Sequence, residues 1–273
     1  IGNVAKALGV SSIAIGLTAS APVLDSISIG NGSTNTATTR GIAIGQGNTV
    51  SGTVGGILIG NQSSAGYYDV AIGDLNVASG IASVAIGLQS TASGKAGIAI
   101  GEQNTATAED AIAIGRLANA TTGTKSIAIG RSTTASAANT VALGTGSTAN
   151  GDHGVAVGST CTANITSVGI GFQSNASGPA AIVIGGEGSA TGLDGIAIGR
   201  EATSGANVAG MAIGRLATAS AAGAVALGLS VTAAKVNTVA VTELETKLIG
   251  GGITMISPDG TEYKLTVANG GTL

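Results

Sequence analysis

The chain has 273 residues, 47 of them Gly, with 1 Phe, 3 Tyr and no Trp; 44% are hydrophobic, 9% are charged and the formal net charge is −3. Aromatic rings supply much of the buried area of ordinary cores, so Ile, Val, Leu and Ala must build this one, and that aliphatic content excludes a disordered chain. The slightly acidic balance argues against a nucleic-acid surface, one Cys excludes an intrachain disulfide, and no run of about 18 apolar residues is present to insert in a membrane as a helix.

The chain opens on Ile1-Gly2, which reads as the end of a repeat strand, and closes on Gly-Gly-Thr-Leu. Both ends predict a fragment of a longer polypeptide. From there a motif of aliphatic, small, aliphatic, Gly recurs. Its glycines are Gly16, Gly30, Gly45, Gly60, Gly73, Gly87, Gly101, Gly115, Gly130, Gly144, Gly158, Gly171, Gly185, Gly199, Gly214 and Gly228, at intervals of 13, 14 or 15. The residues one and three before each glycine are large and apolar, from Ile13 and Ile15 to Val225 and Leu227. Residues two apart in a strand share a face, so each motif predicts a short strand with two aliphatics on one side. The residue between them is Ala in 12 of 16 repeats, the others being Ser28, Leu58, Gly169 and Val183. We expect the aliphatics to fill the interior and the Ala face to meet neighbouring chains.

A second short strand follows in each repeat. Five residues after the glycine stands a small residue, as in Thr91-Ala92-Ser93 and Thr105-Ala106-Thr107. This alternation predicts one small side chain inward and two hydroxyls outward. Two strands per 14 residues, stacked many times, make a parallel β-solenoid that rises about 4.8 Å per coil, roughly 80 Å in all. The glycine would end each strand at a sharp turn with φ > 0.

The strings Ser12–Gly16, Ser83–Gly87, Gly87–Gly101 and Ser126–Gly130 closely resemble the head repeats of trimeric autotransporter adhesins of the YadA type. The resemblance covers residues 1–234. It implies an all-β fold: a homotrimer of left-handed parallel β-rolls, with the small alternate residue facing neighbouring chains. Residues 235–273 depart from it and read as a capping or connector element. There Ser257-Pro258-Asp259-Gly260 forms a type I turn signal between two alternating segments, a β-hairpin. The pattern from Ser257 to Leu273 is similar to C-terminal segments of tailed-bacteriophage fibre and virion proteins.

Individual residues add little chemistry. His153 is the single histidine, in an expected exposed turn, and Cys161 takes a place where other repeats hold Ser, Asn or Ala. No catalytic, cofactor or metal constellation is expected. Arg116, Arg131, Arg200 and Arg215 each follow a motif glycine and would form two short ladders, open to anionic glycans or paired with Glu102 and Glu201. Tyr67 and Tyr68, the one aromatic pair, are the best candidate for a sugar contact.

The expected function is a non-enzymatic trimeric fibre on a virion surface, tail or head, structural and adhesive. Its partners would be itself, other virion structural proteins and a host cell-surface glycan or protein, without nucleic acid or membrane insertion. The alternative is the head of an adhesin on the bacterial outer surface. An ice-binding solenoid is a weaker reading. Thr or Ser fills the fourth position after the glycine in 13 of 16 repeats, but Val77, Asn119 and Asn175 interrupt the row.

Overall fold

The computed structural model describes residues 2–36, 39–52 and 54–242, together with the backbone of 253–256 and 262–265. Two compact units result, Ile1–Ala240 and Val241–Leu273. The first is a parallel β-solenoid of two sheets with 17 strands each. One sheet holds the aliphatic motifs, as in Ile98–Glu102 and Ile112–Arg116; the other holds the hydroxyl-bearing strands, as in Thr91–Ala92 and Thr105–Ala106. Like positions stack in register: Ile98 on Ile112, Ala99 on Ala113, Ile100 on Ile114 and Gly101 on Gly115. In the second unit Ile253–Ile256 pairs antiparallel with Glu262–Leu265, the two strands of a hairpin. The Ser257–Gly260 turn lies outside the described residues.

The interior is the reverse of the expected one. The central Ala of each aliphatic strand points inward: Ala71, Ala85, Ala99, Ala113 and Ala128 are wholly buried. The flanking aliphatics point outward, and Ile57, Ile59, Ile72, Ile170 and Ile184 are 36–42% exposed. The reason is space. Four columns point into each coil, at positions four and two before the glycine and three and five after it. They hold mostly Ala, Ser, Gly and Asn, such as Ser83, Ala85, Ser90 and Ala92. Two sheets joined by such short corners stand too close for facing Ile side chains.

Exceptions in these columns compensate one another. Leu58 and Val183 are the large residues at the central position, and the coil of Val183 carries Gly188, where an added Cβ would lie 2.9 Å from Val183 Cγ1. Gly169 is the small exception, and its Cβ would lie 2.8 Å from Cys161 Sγ. Most polar inward residues are hydrogen-bonded, as burial favours; the Asn35 amide and the Ser126 hydroxyl are exceptions. Asn104 Nδ2 donates to Ile100 O and Gly115 O, both at 2.7 Å, and its Oδ1 accepts from Ala118 N at 2.8 Å. Asn76 repeats the arrangement two coils earlier. These amides tie each coil to the next.

The motif glycine has two duties. Gly101 has φ +127°, and a Cβ there would lie 1.9 Å from the Gly115 carbonyl oxygen of the next coil. Each coil also turns at two left-handed corners where other residues suffice, such as Ala96 (φ 53°) and Gln103 (φ 55°). Rung hydrogen bonds hold those corners: Ala96 N donates to Ile81 O and Gln103 N to Leu88 O, both at 2.8 Å.

Candidate functional site

The roll presents two unlike outer faces. One is the aliphatic face, two columns wide and 16 motifs long. At about 4.8 Å per coil it extends over roughly 80 Å, on the order of 1,000 Å² of apolar surface. Patches beyond a few hundred Å² mark interaction sites on soluble proteins. The corners that border the face extend its apolar character, with Leu17, Phe172 and Leu229 on one side and Ile81, Ile165 and Val208 on the other, all 49–58% exposed.

The opposite face carries the hydroxyl row. Thr91 stacks on Thr105, Thr134 on Thr148 and Thr148 on Thr162. Most of the buried serines and asparagines bond inside the roll. The hydroxyls of this outer row make no intramolecular hydrogen bond among the described residues, so their donors and acceptors face outward. Val77, Asn119 and Asn175 break the row as the sequence shows.

This geometry accords with a match in sequence. Residues 1–33, 64–90, 92–118, 122–147, 136–160, 164–187 and 208–230 match the YadA head domain repeat. The chain belongs to the YadA head repeat family. More than half of its length is covered, which assigns the solenoid to the surface-displayed head of an adhesin-like fibre. No curated protein matches the sequence.

The arginines of this YadA-type head sit on one corner column. Arg116 Nε lies 3.3 Å from Glu102 Oε2 in the coil before, and Arg131 is in register with Arg116 in the coil after. Arg200 Nη2 lies 2.5 Å from Glu201 Oε1. Arg215 follows one coil later, joined through the Leu216 N–H to Arg200 O. Neither Arg131 nor Arg215 has an ion pair among the described residues. Tyr67 and Tyr68 meet edge to face at the other corner, with ring centroids 4.6 Å apart, and Tyr68 is exposed. Tyr67 pairs with Ile81 in the next coil.

His153 is an exposed left-handed corner residue with φ 60°. Among the described residues no cluster of three metal-ligating side chains occurs. Cys161 is buried and its sulfur accepts a hydrogen bond from the Ser174 hydroxyl at 2.9 Å. Burial pushes its thiol pKa up, away from the thiolate a nucleophile needs.

One buried acid escaped the sequence reading. Asp69 stands four before Gly73, in a column otherwise of small residues, and is wholly buried. Its Oδ1 accepts from the Ser83 N–H at 2.7 Å and hydroxyl at 2.8 Å, and its Oδ2 from the Gly66 N–H at 3.1 Å. Desolvation pushes the carboxyl pKa up, against the pull of the Ser83 and Gly66 hydrogen bonds. A folded pKa above the unfolded one gives a contribution that is full below the ordinary aspartate value and lost as pH rises through the folded value. The thermal midpoint, referenced to an Asp69→Ser chain, is therefore expected to be higher at about pH 3 than at about pH 7. Circular dichroism melts at the two pH values check this; equal offsets contradict it.

Proposed function

We propose that three copies associate through their aliphatic faces into a non-enzymatic adhesive fibre, with the hydroxyl faces turned toward solvent and receptor. The observation that carries this reading is the unbroken column of half-exposed aliphatics along one side of the roll. Nothing among the described residues covers it, and parallel copies around an axis would. Repetition then gives each fibre three copies of every weak surface contact, and avidity does the rest. Tyr67, Tyr68, Arg131, Arg200 and Arg215 remain the candidate contacts for a host cell-surface glycan or protein.

The test is a pair of substitutions on the outer face, Ile100→Glu with Ile114→Glu. The parent is expected to be trimeric by native mass spectrometry. The variant is expected to be monomeric while keeping its strand signal in circular dichroism, since neither position faces the interior. A variant that stays trimeric, or a parent that is monomeric, refutes the reading.

The fibre is further proposed to belong to a virion, with residues 235–273 as its capping or connector element among other virion structural proteins. The Ser257–Leu273 sequence pattern supports this. The head repeats themselves favour a second reading, a bacterial outer-surface adhesin. Gold-labelled antibody seen on particles in the electron microscope supports the virion; label on cells alone supports the adhesin.

A further inference from the structure

Every coil of the aliphatic face offers nearly the same side chains. Two such faces can therefore slide by one coil, about 4.8 Å, with little change in apolar contact. Something other than the aliphatics must set the axial register of a fibre built on them.

The corners bordering the face carry such a device. On the leading corner, before the strand, Lys95 Nζ lies 3.1 Å from Glu109 Oε1. On the trailing corner, after the strand, Glu102 pairs with Arg116. Lys95 and Glu102 belong to the Gly101 coil; Glu109 and Arg116 belong to the Gly115 coil. The order of charge is thus opposite on the two edges: cation then anion on the leading edge, anion then cation on the trailing edge. All four side chains are 45–63% exposed and available to a neighbour.

We propose that these four residues form a register lock between copies of this chain. In a cyclic assembly of parallel rolls the contact is head to tail, so one copy's leading edge meets the next copy's trailing edge. In register, Lys95 faces Glu102 of the next copy and Glu109 faces Arg116, a square of alternating charge. Asp110, on the same corner as Glu109, adds a second anion opposite Arg116. A slide by one coil sets Lys95 against Arg116; the opposite slide sets Glu109 against Glu102. In the next coil the in-register alignment sets Lys125 against Arg131, one like-charge contact against two unlike ones. The first slide also brings Glu109 to Arg131. The balance over the three coils, two attractions and one repulsion against one of each, still favours register. Exposed pairs contribute little net affinity, but like charges brought together penalise the wrong alignment, which is the task here. The inference rests on the trimer proposed above.

The test exchanges the leading-edge charges, Lys95→Glu with Glu109→Lys. The intrachain ion pair survives with its sign inverted, whereas both contacts across the interface become like-charged. At low salt and fixed moderate urea, half-dissociation is expected at a subunit concentration roughly tenfold or more above the parent's. Adding Glu102→Lys and Arg116→Glu is expected to restore the parent value, with circular dichroism confirming the fold of each chain. If the parent is trimeric and the double exchange dissociates as the parent does, the lock is overturned and the trimer stands. If the fourfold exchange fails to restore association, the lock is likewise overturned. A parent that is monomeric removes both.

Discussion

An Ala99→Glu chain is expected to lose its fold coil by coil, with a loss relative to the parent that is the same at every protein concentration. Ala99 is wholly buried, stacked between Ala85 and Ala113, with the other sheet's small residues opposite. The carboxylate has neither room nor partner. An uncompensated buried charge costs about 3–5 kcal/mol, and overpacking adds about 1–3 kcal/mol. The expected readout is a large drop in the urea midpoint by circular dichroism, equal at low and high protein concentration. The neighbouring Ile100→Glu gives the opposite pattern, with dissociation that depends on concentration and a roll that stays folded. If Ala99→Glu only dissociates the assembly and leaves each roll intact, the inward placement of the Ala column is wrong.

Gly101→Ala is expected to be among the most damaging methyl additions in the chain. Its φ of +127° is outside what Ala tolerates, and its Cβ would meet the next coil's backbone oxygen, which cannot swing aside. Backbone strain of about 1–3 kcal/mol adds to overpacking of about 1–3 kcal/mol. Gly146→Ala is the control. Its φ is +65° and the nearest atom to a new Cβ is Thr160 Oγ1 at 4.0 Å. Residues such as Gln103 and Leu117 hold that corner in other coils. The control is expected to change the unfolding free energy by less than about 1 kcal/mol. Equal effects of the two substitutions would show that the stacked glycine column is not what limits the approach of successive coils.

Ion pairing and the buried acid illustrate two degrees of legibility. Glu102 and Arg116 are 14 residues apart, one coil, so the repeat alone stacks them. Lys95 and Glu109 obey the same spacing. Asp69 was harder. The signal was present, an acid in a column of Ser, Gly and Ala four before the glycine, but its burial follows only from the inward direction of that column.

The sequence by itself determined the coil: its 14-residue length, its two strands, the parallel stacking in register and the outward hydroxyl row. Those features are local or periodic, and period 2 within a strand together with a fixed coil length specifies them. It also marked where the glycines must stand, through the need for positive φ. It did not determine which face of the aliphatic strand is interior. Alternation distinguishes two faces and leaves their direction open, and the usual preference for large side chains inside pointed the wrong way. The distance between the two sheets decides the matter. Short connections, such as residues 103–104 on one side and 107–111 on the other, hold the sheets so close that mostly Ala, Ser, Gly and an occasional Asn fit between them. The aliphatics Ile98, Ile100, Ile112 and Ile114 are left outside for the surface that joins one chain to another. The left-handed corners at Ala96 and Gln103 belong to the same class, because the rung bonds of neighbouring coils hold a conformation that their own residue types disfavour.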